Sequence, residues 1–328
     1  MKTVDALMTI LGIAWVAGSL AAVTTVAQEA PRTSEYRYKI IDYPGSPTSA
    51  CVGINAHGDL ACDALFSQEL PYVYNVRSGR IVLVPVAQPP GWSAAAFGIN
   101  DSGTVVGYVY PPDDSIENGF VVTKNGDYRE FAVPWGAYTE ARGINDRGVI
   151  TGTAFFNGPG SAGSIYDPET ATYAEVLPSA YTETVGITAD GHVVGTVYLD
   201  AGASGVGAPA GQYGYLRAPN GSITYFRVNG QDTYARGISD AGEIVGYFGS
   251  LPFPQVTGFV IEVNELHGSK TPASGFVALA IPARNQLQVP DSFGTLPQGI
   301  SPEGVVTGTF IDTSGDAHGF IAKQKEDD

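Results

Sequence analysis

The sequence predicts an all-β fold, a six-bladed β-propeller of four-stranded antiparallel blades, and a short recurring pattern is the main reason. Six copies read Gly-Ile, then Asn, Thr or Ser, then two variable residues and a second Gly. The first glycines of successive copies are 45, 45, 43, 51 and 62 residues apart. Repeats of about 40–50 residues built from short strands are typical of propeller blades. The copies begin at Gly53, Gly98, Gly143, Gly186, Gly237 and Gly299.

The composition excludes several other classes of protein. The 328 residues include 42 glycines and 22 prolines, which interrupt every stretch long enough for a long helix. Collagen is excluded because no Gly-X-Y period is present. With 17 Lys and Arg against 33 Asp and Glu, the net charge is −16 and no basic cluster occurs. Nucleic acid is therefore not an expected partner, since phosphate binding needs clustered cations.

The N-terminal segment has the features of a secretory signal peptide. Lys2 precedes an apolar stretch at 6–23, and small residues lead to a cleavage site after Ala27. The stretch is also long enough to remain as a membrane anchor if it is not cleaved, which is the alternative. We expect a periplasmic or secreted protein without a membrane span in the mature chain. The predicted division is signal peptide 1–27, linker 28–35, propeller 36–323 and charged tail 324–328.

Each repeat divides into four strands. In the second repeat these are 94–100, 104–110, 120–124 and 128–133, with a tight Asn-Asp-Ser-Gly turn between the first two. The turn residues Asn55, Asn100 and Asn145 could be ligands, but six copies of one turn favour a structural role.

Three further features concern blade packing and ring closure. A glycine inside the second strand, such as Gly107, predicts close backbone approach, here between neighbouring blades. The last repeat supplies only three strands, so we expect 36–42 to complete it and to close the ring. In the fifth repeat both 258–260 and 275–277 look like third strands, with an insertion at 264–274.

The two cysteines fit the register of the first repeat. Pairing about its turn places Cys51 opposite Cys62, so an exported protein is expected to form this disulfide. A redox-active pair is the alternative, but the Cys-x-x-Cys spacing is absent.

The repeated Gly-Ile-Asn-x-x-Gly run followed by a Gly-Phe strand resembles the extracellular repeat family named for its His-Ala-Phe triplet (HAF repeats). His318-Gly319-Phe320 is the nearest match to the triplet, and most other copies lack the His. The resemblance covers nearly all of the mature chain and implies a secreted β-propeller with no assigned chemistry.

The strand phasing also resembles that of six-bladed lactonase-type and NHL-type propellers, in architecture only. That resemblance implies that the loops leading into first strands share one face with the loops between second and third strands, where propeller ligands usually sit.

The loops and strand starts on that face are rich in aromatic and charged residues. Aromatic walls with a few fixed charges suit a small polar or aromatic ligand, or a carbohydrate. The alternative is that the aromatic residues pack between blades and the charges form ordinary salt bridges. The predicted ligand-binding residues are Trp92, Trp135, Tyr138, Arg142, Tyr181, Tyr234 and Arg236.

Three functional classes remain open. The first is a monomeric binding module for a small molecule or glycan. The second is a hydrolase or lyase of the lactonase or glycan type, with Glu140, Glu183 and His318 as catalytic residues. Ca²⁺ held by carboxylates from several blades is possible in that case. The third is a purely structural repeat protein. A three-His zinc site is not expected, because the four histidines are dispersed.

Overall fold

The computed structural model describes residues 36–177, 181–201, 209–249, 256–266, 275–279, 281, 294–312 and 314–325. The predicted signal peptide (1–27), the linker (28–35), most of the insertion and the end of the tail lie outside these ranges. The described residues form an all-β fold of 24 strands with one 3₁₀ turn, Val263–Glu265. The first twelve strands are β1 (Tyr36–Ile41), β2 (Thr48–Ile54), β3 (Asp59–Leu65), β4 (Glu69–Asn75), β5 (Ile81–Leu83), β6 (Ser93–Ile99), β7 (Val105–Tyr110), β8 (Asn118–Val122), β9 (Tyr128–Phe131), β10 (Tyr138–Ile144), β11 (Ile150–Phe155) and β12 (Ser161–Asp167). The other twelve are β13 (Thr172–Val176), β14 (Tyr181–Ile187), β15 (Val193–Leu199), β16 (Gly211–Arg217), β17 (Ile223–Phe226), β18 (Thr233–Ile238), β19 (Glu243–Gly249), β20 (Val256–Glu262), β21 (Val277–Leu279), β22 (Gly294–Ile300), β23 (Val306–Ile311) and β24 (Ala317–Gln324).

These strands form five sheets rather than the six predicted. Four sheets each contain four consecutive antiparallel strands, β2 to β5, β6 to β9, β10 to β13 and β14 to β17. The fifth sheet has eight strands, the set β18 to β21 and the set β22 to β24 with β1. A single parallel bridge between Val256 and Gly294 joins the two sets, because the start of β20 reaches the start of β22.

The first and last described strands pair with each other as predicted. Strand β1 pairs antiparallel with β24, from Tyr36 opposite Gln324 to Ile41 opposite Gly319. In the fifth repeat β21 pairs with β20 as a fourth strand. The second Gly-Phe run therefore leads into a fourth strand and does not form a third one.

The first strands of successive repeats touch at their motif glycines. A Cβ placed on Gly53 would lie 2.5 Å from the carbonyl oxygen of Phe97 in the next first strand. A Cβ on Gly299 would lie 3.5 Å from the Cα of Gly53. Because these contacts are backbone to backbone, the positions accept no side chain. The contacts run in a closed cycle through Gly53, Gly98, Gly143, Gly186, Gly237 and Gly299.

The glycine inside each second strand has a different role from the one predicted. A Cβ on Gly152 would overlap the carbonyl of Glu140, in the first strand of the same sheet. The register of β10 and β11 shifts there, between Ala141 and Gly143, as in a β-bulge. The prediction that this glycine lets neighbouring blades pack closely was wrong, because it makes room for the bulge of its own sheet.

The predicted disulfide is confirmed. Cys51 and Cys62 lie opposite each other in β2 and β3 and are bonded, with their Cα atoms 4.1 Å apart. Both are fully buried. Cys62 occupies the position that the other second strands fill with glycine.

One end of the molecule is held together by the six repeat turns, and we call it the turn end (residues 55–58, 100–103, 145–148, 188–191, 239–242 and 301–304). The Asn55 side-chain amide donates to the carbonyl of Asn100, and Asn100 to that of Asn145. Asn145 donates in turn to the carbonyl of Thr188. Each bond is 3.0–3.1 Å long and links one sheet to the next. These asparagines are therefore structural.

Candidate functional site

The opposite end, where first strands begin and second strands end, is called the mouth end. Four predicted site residues lie here on neighbouring first strands. Glu140 and Arg142 are on β10, Glu183 is on β14 and Arg236 is on β18. The motif glycines bring these strands side by side, so the four charged groups share one region.

The first ion pair is made within β10. The Arg142 guanidinium pairs with the Glu140 carboxylate, and both side chains are buried. The guanidinium also lies over the Phe97 ring of β6, with its Cζ 4.5 Å from the ring centroid. Arg142 is the extra residue of the β10 bulge, which explains how residues 140 and 142 can meet.

The second ion pair connects two sheets. Arg236 Nη1 donates to Glu183 Oε2 at 2.6 Å, and Nη2 donates to the Tyr247 hydroxyl at 2.9 Å. The Tyr247 ring stacks on Tyr234, with centroids 4.9 Å apart. The Arg236 side chain is 2% exposed and that of Glu183 is 15% exposed. Glu183 is therefore the member of this group that solvent reaches.

The two glutamates interact electrostatically. Burial raises the pKa of Glu140, the Arg142 charge opposes this effect, and the Glu183 charge adds to it. Two carboxyl groups on neighbouring strands thus have different environments, one buried and one partly solvated.

Three further acidic residues at the mouth end were not among the predicted site residues. Asp63 is on β3, Glu69 begins β4, and Glu117 precedes β8. Burial, then the neighbouring Glu69 charge, raises the pKa of Asp63 well above its usual value. Burial raises the pKa of Glu69 to about 8, and burial with the Glu140 charge raises that of Glu117 to about 8. Near neutral pH this side of the mouth end therefore holds protonated carboxyls.

Unpartnered polar atoms accompany these charges. Thr153 lies directly opposite Glu140 in the β10–β11 pair, and Thr196 lies opposite Glu183 in the β14–β15 pair. Both hydroxyls are buried without a hydrogen-bond partner in the described part of the chain. The sequence does mark the residues at the level of these two threonines. Each of them directly follows the glycine of a second strand or, in the first repeat, Cys62. Those residues are Asp63, Tyr108, Thr153, Thr196, Tyr247 and Thr309.

The predicted aromatic residues have different environments. Trp135 packs edge to face on Tyr173 of the outer strand β13, with centroids 6.4 Å apart. Trp92 packs against the apolar core around β6 and β7. Both contacts match the alternative of packing between blades. Tyr138 is half-buried, and Tyr181 is 41% exposed.

His318 has other partners than the two glutamates. Its Nδ1 faces the Asp42 carboxylate at 3.1 Å, and its Nε2 is 3.5 Å from Asp312 Oδ2. The ring stacks on Phe310, with centroids 5.0 Å apart. The hydrogen bond to Asp42 raises the pKa of His318, although burial opposes it. His318 thus connects β24 with the residue that follows β1.

In the described ranges, no group of three or more His, Cys, Asp or Glu side chains could hold a metal ion. Nor do these ranges contain a helix of sufficient length and hydropathy to span a membrane.

Comparisons with known proteins show the fold. No family model matches the chain, and no curated protein does, so the resemblance to HAF repeats stays a prediction. A solved structure provisionally named a gluconolactonase aligns with a TM-score of 0.50 and 13% identity, over 90% of this chain and 96% of its own. TolB from Acinetobacter baumannii aligns with a TM-score of 0.48 and 10% identity, over 70% of this chain but only 57% of its own. At such identities a structural match indicates the fold alone. The chain is an all-β propeller.

Proposed function

We propose that the chain is an exported six-bladed β-propeller that binds a small polyhydroxylated ligand of the carbohydrate type at its mouth end. The blade count is supported by the closed cycle of six glycine contacts. It is also supported by the eight-stranded sheet, which divides at its single parallel bridge into two antiparallel sets of four. Export is supported by the signal-peptide pattern and the buried disulfide.

One observation carries the ligand proposal: two Glu–Arg ion pairs, one buried and one with a partly exposed carboxylate, lie on neighbouring first strands beside unpartnered threonine hydroxyls. A buried ion pair contributes little to stability, since desolvation offsets the attraction. Buried hydroxyls without partners are also uncommon in native proteins. Carboxylates accept and guanidinium groups donate, so the pairs can bind a ligand whose hydroxyls do both. The Tyr234–Tyr247 stack and the exposed Tyr181 supply the apolar contact that sugar rings require.

A binding experiment tests this proposal. A glycan array on the mature protein, followed by calorimetry on the sugars it selects, should give binding that Glu183→Gln weakens by about tenfold or more. Thr196→Val changes no charge and should weaken binding by a smaller factor. Glu175→Gln, on the exposed face of β13, is the matched control and should bind like wild type. Lack of binding to any glycan, or unchanged affinity in Glu183→Gln with its fold intact, would overturn the proposal.

The second candidate is a hydrolase or lyase that uses the same carboxyl groups. It is favoured by the raised pKa of Glu140 beside Glu183, because an acid and a carboxylate form the usual pair for glycoside or lactone opening. His318 is bound to Asp42 and Asp312, and we give it no part in such a reaction. Turnover of nitrophenyl glycosides or lactones that is lost in Glu140→Gln would support an enzyme. Binding without turnover would contradict the enzyme and support the binding function.

A further inference from the structure

The side of the mouth end between the first two sheets carries acidic groups without balancing cations. Asp63 is fully buried, and its Oδ1 accepts a hydrogen bond from the Ala96 backbone at 2.9 Å. Its Oδ2 has no hydrogen-bond partner within the described ranges. Glu69 is 3% exposed and shares a hydrogen bond with the Tyr110 hydroxyl, while its Oε2 is likewise unpartnered. Two buried carboxyl oxygens thus lack a hydrogen-bond partner among the described residues.

Cations balance the other side of the mouth end but not this one. Among the ion pairs of the described residues, none involves Asp63, Glu69 or Glu117. The Arg142 charge acts on Glu117, but that guanidinium is already bound to Glu140. Buried carboxyls normally have a cationic or hydrogen-bonding partner, so their surplus here indicates a missing positive group.

Two independent observations indicate where that positive group lies. Thr153 is fully buried with an unpartnered hydroxyl, and it stands opposite Glu140, whose charge acts on both Glu69 and Glu117. Cross-strand neighbours share one face of a sheet, so Thr153 lies on the same face as Glu140, and its hydroxyl can accept a donor.

The second observation is an aromatic column that already carries one cation. Phe97 stacks on Tyr108 at 5.5 Å between centroids, and Tyr108 stacks on Tyr110 at 5.6 Å. The Arg142 guanidinium covers the Phe97 end, and the Tyr110 end is bonded to Glu69. Aromatic faces attract cations, so the column suits a second positive group beside Glu69.

We propose that the mouth-end ligand carries a protonated amine, held by Asp63, Glu69 and Glu117, and that it is therefore an amino sugar or a similar aminated polyol. The inference rests on the proposed carbohydrate function and adds the charge of the ligand. In it, the three N–H groups of the ammonium donate to the three carboxyls, while the ligand hydroxyls meet Thr153 and the Glu183–Arg236 pair.

Binding of such a ligand is expected to release protons. Glu69 is faced by Asp63, Tyr110, Asp114 and Glu140; the Glu140 and Asp114 charges favour its protonated form, whereas the hydrogen bond with Tyr110 opposes it. An ammonium group reverses that preference by favouring the carboxylate. Glu117 is faced by Asp114, Glu140, Arg142 and Glu69, and the same argument applies to it. A neutral sugar would leave these protons in place.

Calorimetry with matched sugars tests the inference. Wild type at pH 7 should bind glucosamine about tenfold or more tightly than glucose or N-acetylglucosamine. The heat of glucosamine binding should differ between two buffers of unlike ionisation enthalpy, because protons are released. Glu69→Gln should remove the preference for glucosamine. Glu175→Gln should retain the preference, and melting curves should verify that each variant folds.

The possible failures are distinguishable. Equal affinity for glucose and glucosamine overturns the amine inference and leaves the carbohydrate proposal standing. Binding of 1,4-diaminobutane that is lost in Glu69→Gln, with no sugar bound, supports an amine site and overturns the carbohydrate proposal. Absence of binding by every sugar and by the diamine overturns both. Should Glu69→Gln misfold, Asp63→Asn serves as the second variant, with the same expected loss of preference.

Discussion

The two ends of the propeller differ in how their buried polar groups are satisfied. At the turn end, the side chains of Asn55, Asn100 and Asn145 each bond the next sheet, and the acceptor oxygens bond their own turns. At the mouth end, Asp63, Glu69, Thr153 and Thr196 retain polar atoms without a partner in the described residues. The repeat thus supplies hydrogen bonds between sheets at one end, and departures from it at the other end leave polar groups unpartnered.

The largest expected effect comes from removing a mouth-end acid. Because the pKa of Glu69 is raised to about 8 in the folded state, the folded protein binds the proton more tightly than the unfolded chain. Wild type should therefore lose stability as the pH rises from about 4.5 to 8. Glu69→Gln should flatten this loss, with a difference of a few kcal/mol by pH 8.5. Urea unfolding at several pH values measures it, with Glu175→Gln as control. Parallel curves for wild type and Glu69→Gln would contradict the expectation.

The disulfide lies between the two ends and has no counterpart in the other repeats. Its cysteines are 11 residues apart. Cys51→Ala with Cys62→Gly restores the residue types common in the repeat and should lower the free energy of unfolding by about 3 kcal/mol. Urea unfolding of oxidised wild type and of the double variant gives this difference. Equal midpoints would show that the cross-link does not stabilise the first sheet.

A graded pair of substitutions tests the network at the turn end. Asn100→Ala removes the bond to Asn145 and the bonds that Asn100 accepts from Ser102 and Thr104, so we expect a loss of about 2–3 kcal/mol. Asn100→Ser retains a hydroxyl for its own turn, as Ser239 does in the fifth repeat. It should lose only about 1 kcal/mol, the contribution of the bond to the next sheet. Thermal unfolding distinguishes the two, and equal losses would mean that the link between sheets contributes nothing.

The smallest effect concerns ring closure at His318. Its pKa is raised by Asp42 and Asp312, so its stabilisation is complete below the unfolded value near 6.5 and is lost as the pH rises through the folded value. His318→Gln should therefore cost about 0.5–1 kcal/mol at pH 6 and less at pH 8.5, since the pair is partly exposed and screened by solvent. A cost that is equal at both pH values would contradict an ionic role.

The repeat explains what could be predicted from the sequence. Turn and strand positions follow from Gly, Asn and apolar periodicity, so the strands of the second repeat agree with the structure within two residues. The cysteine pairing followed from the same register. The eight-stranded sheet, in which the strands of the last two repeats are joined, was not predictable. It depends on one bridge between Val256 and Gly294 that no local pattern encodes.

The site was predicted less well than the fold. Glu140, Arg142, Glu183 and Arg236 were chosen because they lie on first strands next to the motif, and their role in binding stays a prediction. Trp135 was assigned to the mouth by its loop, but its side chain packs on an outer strand, and loop position does not determine the direction of a ring. Asp63 and Glu69 were missed because their importance comes from burial, which a single sequence does not reveal.

The most direct test of the difference between the two ends compares sugar affinity in Glu183→Gln and Asn100→Ala by calorimetry, with both variants shown to be folded at the assay temperature. Glu183→Gln should lose about tenfold or more in affinity, and it also loses stability because the buried Arg236 guanidinium loses its anionic partner. Asn100→Ala should lose stability as well and yet bind within about a factor of two of wild type. Equal affinity in Glu183→Gln and wild type, or a loss confined to Asn100→Ala, would contradict a ligand site at the mouth end.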